Sequence, residues 1–141
     1  MLGLFDSTEV ADGEQVRSLR RRSLGRAALD WLCDSDRTIF ELAEQGIGLR
    51  VIGRAVSLNQ GTVCRRLARV RRRLASPLVQ TLLVPDSPVP ETCRKIALLN
   101  RLSGRSIPDI ARTLGLTESA VREHVRFACG IVQGMLRRNS V

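Results

Sequence analysis

The stretch 52–67, IGRAVSLNQGTVCRRL, and the stretch 110–125, IARTLGLTESAVREHV, share one apolar skeleton at an offset of 58 positions. Ile52, Val56, Leu58, Val63 and Leu67 align with Ile110, Leu114, Leu116, Val121 and Val125. The letters between them differ. A chain that repeats its core positions and varies the others builds one structural unit twice. The skeleton also fixes the class of element. Val63, Leu67, Val70 and Leu74 recur at the spacing of one helix face, and Val121, Val125, Ala128 and Val132 do the same. No stretch alternates with period two for long enough to make a strand, so the sequence predicts an all-α fold.

Capping residues and breakers divide the chain further. Residues 1–12 read as a tail, and residues 13–34 as an N-terminal helix through Val16, Leu19, Leu24, Ala28, Trp31 and Leu32. The first unit occupies 35–78. Asp34–Ser35 is the expected cap of its first helix, Gly46 the stop, and a short helix follows from Leu49 to Val56. Asn59 caps the next helix, which starts at Gln60. Pro85, Pro88 and Pro90 mark 79–90 as a linker. The second unit, 91–141, repeats the pattern with Gly104 as a stop, a helix over Ile107–Leu114 and Thr117 as cap of a last helix from Glu118. Leu58 and Leu116 are expected to turn back into the core. Gly115 suits a left-handed turn backbone. Ser57 stands at the same place in the first unit, where that conformation costs roughly 1 kcal/mol.

Charge follows the units. The net charge is +9: residues 35–78 and 91–141 sum to +6 and +5, and residues 1–34 and 79–90 to −1 each. Such a balance predicts a polyanionic partner. Aromatic side chains make up only 3%, too few for the stacking platforms that single strands need, so duplex is the expected form. With the apolar stripe buried, the last helix of the first unit presents Gln60, Gly61, Cys64 and Arg65 near its N-terminus. Arg66, Arg69, Arg72 and Arg73 follow. The second unit presents Glu118, Ser119, Arg122 and Glu123, then Arg126. A helix N-terminus inserted in a major groove brings such side chains to base edges, whereas arginines further along meet phosphates. Base reading is therefore expected from Gln60, Gly61, Cys64, Arg65, Glu118, Ser119, Arg122 and Glu123. Phosphate contact is expected from Arg54, Arg66, Arg69, Arg72, Arg73, Arg112 and Arg126.

The four cysteines, Cys33, Cys64, Cys93 and Cys129, show no CxxC spacing, and His124 is the one histidine, so neither a metal site nor a cofactor is expected. They read as small buried or half-buried side chains, except Cys64 on the exposed face. No nucleophile is evident beside His124, and the chain reads as a non-enzyme. MLGLFDSTEV lacks the basic and apolar segments of a signal peptide, and no apolar run is long enough to span a membrane. The expected location is the cytoplasm, at the nucleoid.

Residues 35–78 resemble region 4 of bacterial sigma factors. The resemblance rests on Asp36–Arg37 before the first helix, on Ile52-Gly53-Arg54, on Gly61-Thr62-Val63 opening the last helix, and on the arginine-rich end of that helix. Residues 91–136 resemble both sigma region 4 and the C-terminal domain of LuxR-type regulators, with AVREHV closer to the latter. The resemblance implies two tandem helix-turn-helix units, duplex-DNA binding through the third helix of each, and docking on RNA polymerase. No counterpart of sigma region 2 or of a LuxR-type receiver domain is present. The expectation is a transcriptional regulator reading a bipartite DNA site with two heads. Its alternatives are an adaptor for RNA polymerase or a sigma factor, and the DNA-recognition subunit of a transposase or recombinase. A homodimer is open in each case.

Overall fold

A computed structural model of the chain describes residues 24–139. The expected tail at 1–12 and the first part of the N-terminal helix, with Val16 and Leu19, lie outside the described residues. Within them the protein is all-α, without a strand. Residues 24–29 form α1. They are followed by α2 (Asp34–Glu44), α3 (Leu49–Val56), α4 (Gln60–Ala75), α5 (Pro77–Leu83), α6 (Glu91–Arg101), α7 (Ile107–Leu114) and α8 (Glu118–Asn139). None of these helices is long and apolar enough to cross a membrane.

The repeat is a repeat in space. Helices α3 and α7 begin and end 58 positions apart, and so do the starts of α4 and α8. Each pair is joined by a three-residue turn with a left-handed first residue, Ser57 at φ 58°, ψ 40° and Gly115 at φ 67°, ψ 32°. The serine thus adopts the backbone for which glycine has no steric penalty. The turns close on equivalent bonds: Leu58 N–H donates to the Gly53 carbonyl and Leu116 N–H to that of Ala111, both at 2.9 Å. A Cβ on Gly53 would stand 2.6 Å from the Leu58 carbonyl oxygen, so the first turn is tighter than the second. Asn59 Oδ1 accepts from Thr62 N–H at 2.8 Å and Thr117 Oγ1 from Ala120 N–H at 3.1 Å, capping α4 and α8 as expected.

Three expectations need correction. Helix α2 starts at Asp34, with Cys33 in the cap position and no side-chain cap bond. Asp34 and Asp36 instead lie in its first turn, where the helix dipole favours carboxylates. The linker shortens to 84–90, because Pro77 opens α5, and a proline at a helix start removes a donor that has no partner there anyway. Val79, Leu82 and Leu83 are buried, each contributing about 1.5–3 kcal/mol of transfer free energy. Leu114 and Leu116, finally, are 38% and 37% exposed, whereas Leu58 and Val56 pack on the core.

The two units also share their interior. One cluster runs from Ala28, Ile39, Ile52, Val63, Leu67 and Val70 through Val79 and Leu82 to Ala97, Leu98, Ala128 and Val132. A smaller one holds Ile96, Ile110, Ala111, Val121 and Val125. The buried stripe of α8 therefore divides: its first half closes the second unit and its second half enters the common core. Polar ties reinforce the join. Arg73 Nη1 donates to the Leu102 carbonyl at 3.3 Å, Arg94 Nε to that of Leu82, and Ser103 Oγ to that of Trp31.

Candidate nucleic-acid interface

Burial of Val63, Leu67 and Val70 turns the opposite side of α4 to solvent. Gln60, Gly61, Cys64, Arg65, Arg69 and Arg72 are all exposed, as the sequence indicates. Arg65 Nη2 leans back on Thr62 Oγ1 at 3.3 Å, which steers its guanidinium toward the N-terminal turn of the helix. Among the described residues Arg69, Arg72 and the exposed Arg54 of α3 have no ion-pair partner. They form a set of uncompensated cations around one helix.

The other arginines of α4 are engaged. Arg66 lies 3.8 Å from Asp36 Oδ1, an oxygen that is buried and without a hydrogen bond. That separation is an ion pair but not a hydrogen bond, and the under-satisfied carboxylate holds the cation near α2. Arg71 sits 3.9 Å from Glu44 on the surface. Arg73 is half-buried, bound to Leu102 and lying over Gly104, where an added Cβ would stand 2.5 Å from Nη1. The sequence assigned Arg66 and Arg73 to phosphates. Arg66 instead faces an acid, and Arg73 is part of the join between the units.

The second unit presents a different surface at the same positions. Arg112 pairs with Asp109 at 3.6 Å, and Asp109 also accepts from Arg105 Nε at 2.8 Å. That hydrogen bond, aided by the charges of Arg105 and Arg112, holds the Asp109 carboxyl below its ordinary pKa. In the first unit Val51 stands where Asp109 stands, 56% exposed, which leaves Arg54 unopposed. Arg122 lies 3.5 Å from Glu118 on the next turn of α8. Glu118, Ser119, Arg122, Glu123 and Arg126 are exposed. Shifting by 58 positions, however, replaces Arg65, Arg69 and Arg72 with Glu123, Phe127 and Gly130. Phe127 is 55% exposed, an aromatic signal the sequence reading left unused.

The cysteines sort by position. Cys64 is exposed on α4, as expected, and Cys33 is exposed as well, contrary to expectation. Cys93 is buried on α6 with Sγ 3.2 Å from His124 Nδ1 of α8, so a thiol does stand beside the histidine. Burial pushes the Cys93 thiol up. It therefore keeps its proton, and the contact ties α6 to α8 without making the thiol an activated nucleophile. No family model matches the chain, and no curated protein or solved structure matches it either.

Proposed function

We propose that this protein is a sequence-specific duplex-DNA-binding transcriptional regulator built on two helix-turn-helix units. Helix α4 is its principal reading helix. The observation that carries the proposal is the uncompensated cationic set Arg54, Arg65, Arg69 and Arg72 around an exposed helix that opens with the small residues Gly61 and Thr62. A helix of this kind enters a major groove with its N-terminal turns at the base edges. Gln60, Gly61, Cys64 and Arg65 then read bases, and Arg54, Arg69 and Arg72 hold phosphates. Glu118, Ser119 and Arg122 give α8 a weaker second reading edge, since ion pairs already engage Arg112 and Arg122. The common core joins α4 and α8 in one body. A bipartite site is then read at one fixed spacing, and a few base pairs inserted between its halves weaken binding.

A second reading, an adaptor for RNA polymerase or a sigma factor, is favoured by the loss of the arginine set on α8 and by the resemblance to sigma region 4. Fluorescence anisotropy of labelled duplexes over a salt series separates the two. The regulator keeps a preferred duplex at physiological salt, and Arg69→Ala and Arg72→Ala each flatten the salt dependence by about one unit of slope. A protein that binds all duplexes equally and weakly, but captures polymerase, is the adaptor.

A further inference from the structure

Helix α8 contains two glycines that no contact among the described residues requires. Among the described residues, a Cβ on Gly130 would meet nothing within 4 Å, and one on Gly134 only the tip of Arg138 at 4.0 Å. Neither has a positive φ. Glycine inside a helix costs roughly 0.5–1 kcal/mol relative to alanine, so the pair weakens α8 with no return among the described residues. Both glycines share a face. Glu123, Phe127, Gly130, Gly134 and Arg137 follow one another at steps of four, three, four and three, the spacing of a helix–helix seam. This seam lies opposite the buried Val121, Val125, Ala128 and Val132. It carries a half-exposed aromatic ring beside two positions without side chains.

The seam is complementary to itself. Two copies of α8 laid antiparallel about Gly130 bring Phe127 of each onto Gly134 of the other, Gly130 against Gly130, and Glu123 against the Arg137–Arg138 end. Large meets small where Phe127 meets Gly134, and acid meets base where Glu123 meets the arginines. Glycines let the two backbones approach closely, and Arg138, which donates to the Gly134 carbonyl at 3.3 Å, lies where the incoming ring would rest. A guanidinium over an aromatic face adds a cation–π attraction.

We infer that the outward face of α8 between Glu123 and Arg138 is a self-association surface, and that its occupant is the same face of a second copy of this chain. Where the first unit carries arginines for a polyanion, the second carries a seam for itself. The inference does not depend on DNA binding, though it takes Glu123 out of the base-reading set. A single helix pair falls at the small end of protein interfaces, below about 1,200 Å², so the dimer forms in the micromolar range.

The test is sedimentation equilibrium of the full chain without DNA, with Phe127→Ala, Glu123→Arg, Arg138→Glu and the double exchange Glu123→Arg/Arg138→Glu, each checked for folding by circular dichroism. We expect a monomer–dimer equilibrium. Phe127→Ala should weaken it by about tenfold or more, each single charge reversal should weaken it, and the double exchange should restore it. Gly130→Ala gives a readout of opposite signs, a higher melting temperature with weaker association. A wild-type chain that stays monomeric up to about 100 μM overturns the inference. So does a dimer that all these variants leave unchanged.

Discussion

Two neighbouring arginines give the sharpest test of where the proposed reading surface ends. Arg72 and Arg73 differ by one position on α4, and the sequence assigned both to phosphate. In the structure Arg72 is exposed, whereas Arg73 is half-buried and donates at 3.3 Å to the carbonyl of the fully buried Leu102. A hydrogen bond from a charged donor contributes about 1.5–3 kcal/mol. The long distance and partial exposure bring this one to about 1 kcal/mol, and the lost packing of the side-chain stem over Gly104 adds a few tenths. Arg73→Ala should therefore cost roughly 1.5 kcal/mol, a fall of about 0.7–1 M in urea midpoint for a domain of this size. Arg72→Ala should stay within about 0.5 kcal/mol of wild type, as exposed substitutions do. Binding should reverse the order. Arg72→Ala flattens the dependence of log K on log salt by about 0.9, and Arg73→Ala leaves the slope unchanged once measured where the variant is folded. Urea unfolding followed by circular dichroism and anisotropy over a salt series read the two quantities. Equal slopes lost by both variants, with no change in midpoint for Arg73→Ala, would refute the reasoning.

Three further outcomes are expected. Gly53→Ala adds a Cβ 2.6 Å from a backbone carbonyl. The roughly 1–3 kcal/mol of overpacking outweighs the roughly 1 kcal/mol of helix propensity gained. Gly61→Ala meets only an ordinary 3.5 Å contact and should not destabilise; urea midpoints check both. Asp109→Asn removes a carboxylate whose folded pKa is lowered by Arg105, so the stability difference from wild type is fully present above about pH 4 and shrinks as pH falls below it. A difference that instead grows toward acid would contradict the Arg105 bond as the cause. Maleimide should label the exposed Cys33 and Cys64 well before the buried Cys93, as mass spectrometry after timed quenching will show. Adduct on Cys64 should block duplex binding, and Cys64→Ser should protect against it.

Much of the backbone was legible in the sequence because it depends on short-range chemistry. The span of α3, the span of α7 and the starts of α4 and α8 follow from Asn59, Thr117, Gly115 and the apolar period alone. Ser57 adopts the left-handed conformation its glycine counterpart predicts. What escaped depends on distant parts of the chain. Residues 79–83 read as the start of a proline-rich linker until Val79, Leu82 and Leu83 find a common core to enter. Leu116 looks as apolar as Leu58, but no described element covers it as the first unit's larger cluster covers Leu58. Arg66 and Arg73 carry the same letter as Arg69, and only Asp36 and Leu102, 30 and 29 positions away, separate their roles. Part of the difference between the units was already present in the repeat. Aligning the two copies sets Glu123, Phe127 and Gly130 on Arg65, Arg69 and Arg72 from the letters alone.

The central claim is that α4 reads a specific duplex. Selection of bound fragments from a random duplex pool at physiological salt, with the full chain and with Arg65→Ala side by side, tests it most directly. The account predicts an enriched motif for the wild type and a relaxed preference at one position for Arg65→Ala, at a cost of roughly 1–3 kcal/mol on the best site. No enrichment above bulk electrostatic binding would contradict it.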